Sequence, residues 1–162
     1  MKILNHENIL KLYKTIQSNS KLFFELEYAS MGSILNVINT KLFLEVEEIQ
    51  FLIAQIIEGL LYMHERKIVY GDLKAENVLL NDKGIVKICD FNLSGTATLL
   101  KNQFQGTKVY MAPELIDNNE KSYASDFWSL GVLLHLMYYR QYPFDRKTQS
   151  ALFYNILNGN IK

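Results

Sequence analysis

Apolar residues recur every three or four positions at Val46, Ile49, Ile53, Ile56, Leu60 and Met63, which predicts an amphipathic helix over about Glu45 to Glu65 whose stripe packs into a core. Phe127, Leu130, Leu133, Leu134 and Met137 predict a second, buried helix over Ser125 to Tyr139, with Ser125 or Asp126 near its cap. Thr148 to Leu157 reads as a last helix, a short helical stretch follows Ser33, and Pro113 opens a brief helical turn. Elsewhere the pattern shortens. From Ile9 to Tyr28 two apolar segments flank Gln17-Ser18-Asn19-Ser20, and Val78 to Leu80 is parted from Ile85 to Cys89 by Asn81-Asp82-Lys83-Gly84, so both stretches predict β-hairpins. Residues 91 to 109 are rich in Gly, Ser, Thr, Asn and Gln with little periodicity, which predicts a long loop of the kind that functional sites use.

Composition narrows the function classes. A chain of 162 residues, 49% of them hydrophobic, has the size and apolar content of one ordinary domain. Its 17 basic and 17 acidic residues cancel, so no overall charge draws it to nucleic acid or an anionic membrane. Cys89 is the only cysteine, which excludes an internal disulfide and a multi-cysteine metal site and fits a reducing compartment, cytoplasmic or nuclear. His6, Glu7 and Asn8 break the apolar residues of Met1 to Leu12, so no signal-peptide core and no secretion are expected. Gln55, Glu58 and His135 interrupt the richest apolar stretches, so no membrane segment is expected either.

The chemistry concentrates in Ile68-Val69-Tyr70-Gly71-Asp72-Leu73-Lys74-Ala75-Glu76-Asn77-Val78-Leu79-Leu80, where a base, a cation and a metal-binding amide stand at fixed spacing before an apolar strand. Asp90-Phe91-Asn92 follows, and then Ala112-Pro113-Glu114. In this order the three segments resemble the catalytic loop, the metal-binding Asp-Phe-Gly and the Ala-Pro-Glu of the eukaryotic protein kinase family. Lys74 together with Gly106-Thr107 resembles its serine/threonine branch. The resemblance spans nearly the whole chain and implies an α+β, protein-kinase-like fold. Residues 1–28 would be an incomplete β remnant of the N-lobe with the hinge, and residues 29–162 a mainly helical C-lobe, truncated near the family's αG helix.

That resemblance implies transfer of the γ-phosphate of ATP to a protein hydroxyl, with ATP and Mg2+ as cofactors and a protein as substrate. Asp72 would accept or orient the hydroxyl proton, Lys74 would place a positive charge beside the γ-phosphate, and Thr107 would contact both. Asn77 and Asp90 would supply hard oxygen ligands for magnesium. Asn5-His6-Glu7-Asn8-Ile9 resembles the segment entering the family's fourth strand. Leu26 corresponds to the gatekeeper, the carbonyl of Glu27 and amide of Ala29 face adenine, and Glu76 belongs to the nucleotide-binding set. Ser33 falls where the family contacts ribose and Leu79 where it floors the base, although a solvent-facing serine and a packed leucine explain these two equally well. Asp126 would bond the backbone of the catalytic loop, with Leu12, Tyr70 and Phe91 stacked above it. Cys89 reads as a buried strand cysteine, and His64 as the partner in a structural hydrogen bond.

Several positions depart from the family. Gly71 replaces the arginine that binds an activation-loop phosphate, and Asn92 replaces the glycine of Asp-Phe-Gly, at a position where asparagine tolerates left-handed backbone. No glycine-rich loop, strand-three lysine or αC glutamate precedes Asn5, and the arginine that pairs with Glu114 is not found. Apolar residues that would pack against the missing helices are expected to be exposed. Two readings follow, a serine/threonine kinase present as a fragment, or a catalytically weak or inactive kinase-like scaffold or binding module. Without a guanidinium at position 71, a phosphate on Ser94, Thr96 or Thr98 lacks its bidentate partner. Phosphorylation at any of the three is therefore expected to change the activity of the full-length protein less than about twofold, and a large gain in a kinase assay would refute this.

Overall fold

The computed structural model describes residues 4–41, 43–100 and 104–162. In chain order the elements are β1 (Leu12–Ser18), β2 (Lys21–Leu26), β3 (Gly32–Ser33), α1 (Ile34–Thr40), α2 (Val46–Glu65), β4 (Val78–Leu80), β5 (Val86–Ile88), α3 (Pro113–Asn118), α4 (Tyr123–Tyr139) and α5 (Gln149–Leu157). Single 3-10 turns lie at Ala75–Asn77 and Lys108–Tyr110. Strands β1 and β2 form a two-stranded antiparallel sheet, and β3, β4 and β5 form a three-stranded one in that order. The fold is α+β, as the sequence implied. Met1 to Ile3 of the segment expected to lack a signal peptide, and 101–103 of the long loop, lie outside the described residues.

Helix α2 forms where the period was strongest, and its ends explain its limits. The Glu48 carboxylate accepts the Glu45 N–H at 3.1 Å, and Glu47 and Glu48 set negative charge against the helix N-terminus. Ile49, Leu52, Ile56, Leu60 and Met63 are buried along one face. Gly59 lets this face approach β5, because a Cβ there would stand 2.8 Å from Ile88 Cδ1. Helix α4 begins earlier than expected. Its cap is Ser122, which accepts the Ser125 N–H at 3.3 Å while Ser125 Oγ accepts the Ser122 N–H at 2.9 Å, leaving Ser125 and Asp126 inside the first turn. Helix α1 ends against α4: the Arg140 guanidinium donates to the carbonyls of Ile38 and Lys41.

The core lies where α2 and α4 meet the three-stranded sheet, with Ile56, Leu60, Met63, Val78, Ile88 and Leu133 fully buried. Hairpin β1–β2 stands apart from it. Every residue of β2 is exposed, including Phe23 at 51% and Phe24 at 56%. The segment before the hairpin is clipped to β5, where Leu10 N–H donates to the Ile88 carbonyl and Ile88 N–H to the Asn8 carbonyl, each at 2.9 Å. Among the described residues no helix is long and apolar enough to cross a membrane.

Leu60→Ala empties a site in the main core and is expected to cost about 2–5 kcal/mol in urea unfolding of the 162-residue chain. Phe23→Ser on the hairpin is expected to cost less than about 0.5 kcal/mol; equal losses would show that the hairpin shares the main core.

Candidate active site

The loop between α2 and β4 is positioned by one buried side chain of α4. Asp126, 1% exposed, accepts the Tyr70 N–H on Oδ2 at 2.9 Å and the Gly71 N–H on Oδ1 at 2.8 Å. His64, at the end of α2, bonds the same Oδ2 through Nε2 at 2.8 Å. A buried carboxylate is tolerable only when bonded in this way. The Tyr70 ring packs edge-on against Phe91 at 5.5 Å, and its hydroxyl donates to the Cys89 carbonyl. Burial, reinforced by the charges of Cys89 and Asp72, holds that phenol well above its usual range, so it stays neutral.

Next to this anchored pair of amides stands Asp72. Lys74 Nζ lies 2.7 Å from its Oδ2, with side-chain exposures of 20% for the lysine and 9% for the aspartate. Thr107 donates to Oδ1 from both its N–H and its Oγ1, each at 3.2 Å, and Lys74 Nζ donates to Thr107 Oγ1 at 3.1 Å. Asn77 Nδ2 donates to the Asp72 carbonyl at 3.1 Å and to its Oδ2 at 3.2 Å. Four of the residues singled out in the sequence thus form one cluster. Tyr110 supports it from below, its hydroxyl accepting the Ala75 N–H at 3.3 Å.

A cleft of about 860 Å³ opens between the hairpin and the three-stranded sheet. Leu12, Leu26, Leu79, Asp90 and Phe91 line it, together with Thr15, which the sequence did not single out, and Ser94, which it named only as a phosphorylation candidate. Its volume is in the range of small-molecule sites. Glu27, Ala29, Ser33 and Glu76 are not part of that lining. The Glu27 side chain pairs with Lys87 at 2.8 Å. Ser33 caps α1, its Oγ donating to Asn36 Oδ1 at 2.6 Å. Glu76 is exposed in the 3-10 turn.

Left-handed backbone occurs at Asp90, with φ +56°, and not at Asn92 as the family comparison implied. Asn92 instead donates its N–H to Asp90 Oδ1 at 3.4 Å, and the left-handed residue stands two positions earlier. Aspartate is among the non-glycine residues that adopt this region at least cost. Among the described residues there is no group of three His, Cys, Asp or Glu side chains that could hold a metal ion. A cation between Asn77 and Asp90 would draw on one carboxylate and one amide oxygen, since the Asn77 nitrogen faces Asp72. Its remaining ligands would be water and phosphate, a donor set that suits magnesium. Glu114 is half-buried and keeps access to water.

A profile of the family described as "Protein kinase domain" matches residues 1–162. The chain is 35% identical over 164 residues to the human NUAK family SNF1-like kinase 2, covering 98% of the chain and 26% of that protein. It is 38% identical over 156 residues to a putative protein kinase C delta type homolog of Drosophila melanogaster, covering 94% of the chain and 23% of that protein. It is also similar to CBL-interacting protein kinase 17 of Oryza sativa subsp. japonica, at 35% identity over 170 residues, covering 100% of the chain and 37% of that protein. The chain therefore spans about a quarter to a third of these relatives' lengths.

Cys89 borders the same cleft. Burial, followed by the charge of Asp90, pushes its thiol up to about 11, with Lys74 opposing. The thiol is protonated at neutral pH, so alkylation of the folded chain by iodoacetamide is expected to accelerate about tenfold per pH unit beyond pH 9, where an unshifted thiol levels off. A plateau near pH 9 would contradict this environment.

Proposed function

The chain belongs to the protein kinase family, and we propose from that membership that the full-length protein carrying it transfers the γ-phosphate of ATP to a serine or threonine hydroxyl of a protein substrate. The observation that supports this most is the cluster of Asp72, Lys74, Thr107 and Asn77, drawn from two segments 35 residues apart in sequence.

In this reading Asp72 orients the attacking hydroxyl and takes its proton. Thr107 fixes one carboxylate oxygen of Asp72, so the other is presented in one direction. Lys74 pairs with Asp72 and offers positive charge to the phosphoryl oxygens. Asn77 and Asp90 hold magnesium, which when bound offsets the charge of the phosphates. Leu26 and Leu79 enclose the base from either side of the cleft. Glu27, Ala29, Ser33 and Glu76 complete the nucleotide-contacting set through backbone and rim positions. The position of Asp90 on the cleft wall supports a functional role for that residue.

The test is phosphate transfer from ATP and magnesium to protein substrates by the full-length protein. Asp72→Asn is expected to lower kcat by about 10²–10⁴-fold, and Thr107→Ala by less, since it only holds the base. Transfer unchanged by Asp72→Asn would overturn the assignment. A wild-type protein that binds nucleotide and transfers nothing would favour the scaffold reading.

A further inference from the structure

Lys121 lies in the turn ahead of α4 and is 4% exposed. Its Nζ is buried and has no hydrogen-bond partner among the described residues. Lysine is seldom buried, and a buried ammonium without a partner is costly, so its presence beside a candidate active site calls for a reason.

The reason lies across from it. Gly71 has φ +80°, and a Cβ there would stand 3.3 Å from both Cδ and Nζ of Lys121 and 2.8 Å from the Leu93 carbonyl oxygen. Any side chain at position 71 is excluded twice, by the left-handed backbone and by this crowding. The lysine stem and ammonium fill the volume that residue 71 leaves empty. Beside them is a cavity of about 20 Å³ bordered by Gly71, Asp72, Thr107, Lys121, Ser125 and Asp126. That is room for one water molecule, and although Leu73, Met111 and Leu115 also border it, Asp72, Thr107, Lys121, Ser125 and Asp126 bring polar groups to it. The carboxylates nearby already have their direct partners: Asp126 has Tyr70, Gly71 and His64, and Asp72 has Lys74, Thr107 and Asn77.

We propose that Lys121 is a positioning residue for the catalytic loop. Its ammonium, through one water in this cavity, ties the Gly71-Asp72 segment to the start of α4 and supplies the fixed positive neighbour that residue 71 cannot. The inference rests on the assignment of Asp72 above. The titratable and charged groups facing Lys121 are Asp72 from the loop, Asp126 from α4 and Tyr110 from the second 3-10 turn. Lys74 stands behind Asp72, and His64 behind Asp126. Burial lowers the proton affinity of Lys121, and the charges of Asp72 and Asp126 oppose the loss. A lysine with a lowered folded value destabilises the fold at neutral pH, and this penalty fades as pH rises through that value.

Lys121→Met keeps the volume of the side chain and removes its charge. In the full-length protein it is expected to lower kcat about tenfold, to leave the KM for ATP within about twofold, and to leave the melting temperature unchanged or raised, because an unpaired buried charge is gone. A kcat within twofold of wild type, or a fall in kcat that tracks a fall in melting temperature, would overturn the proposal. Asp72→Asn in the same assay separates the two readings: if wild-type protein shows no transfer that depends on Asp72, the enzymatic assignment fails. The neighbourhood is then judged without activity, by 15N NMR of lysine side chains. The Lys121 ammonium is expected to titrate below free lysine, and lower still in Asp72→Asn; a midpoint unmoved by Asp72→Asn would overturn the coupling.

Discussion

Two backbone amides and one imidazole converge on the buried carboxylate of Asp126, and the geometry of the site follows from that convergence. The amides belong to Tyr70 and Gly71, so the peptide that carries Asp72 is fixed one residue before the chemistry begins. A carboxylate at 1% exposure is stable there because each oxygen is bonded. Asp72 in turn draws Thr107 from the far end of the long loop and Asn77 from the 3-10 turn. The loop before β4 is thus ordered by a carboxylate of α4 and the loop after Asp90 by the carboxylate of Asp72, while Tyr70 packs on Phe91 beside them.

Helix α2 was legible because its apolar period is unbroken and acidic residues mark its start. The hairpins were legible because polar turn residues separate short apolar runs. The start of α4 was misread because a serine three residues ahead of another serine is a weaker signal than serine before glutamate, although the reciprocal bonds are the same in kind. Asn92 stands where the family has glycine, but the left-handed backbone lies two residues earlier, at Asp90, and a change of residue type does not show which peptide of a turn takes that conformation. Spacing in the sequence brought Asp72, Lys74 and Asn77 together. It could not show Thr15 and Ser94 on the cleft wall, because they arrive from separate elements. Lys121 gave no signal at all, because an isolated lysine in a polar turn normally points to solvent.

A formal net charge of zero describes the chain as a whole and conceals a local arrangement. Around the loop, Asp72 pairs with Lys74 at 2.7 Å, Asp126 bonds His64, and the buried Lys121 stands within the field of both carboxylates where water is sparse. Electrostatic effects in such a place exceed those between exposed pairs. Lys87 and Glu27 make a similar pair at the base of the hairpin, largely out of solvent.

That last pair has a mechanical meaning. Hairpin β1–β2 is fastened at its entrance by Leu10 to the backbone of Ile88 and at its exit by Glu27 to Lys87, neighbouring residues of one strand. Two fastenings so close together define an axle. A ribbon of one seven-residue and one six-residue strand is roughly 20 Å long, so a difference of about 10° in angle at that axle corresponds to about 3–4 Å at its tip. Leu12, Thr15, Phe24 and Leu26 stand on the hairpin wall of the cleft, and Leu79, Cys89 and Asp90 on the opposite one. The angle between the two walls is therefore held by contacts to two neighbouring residues of a single short strand.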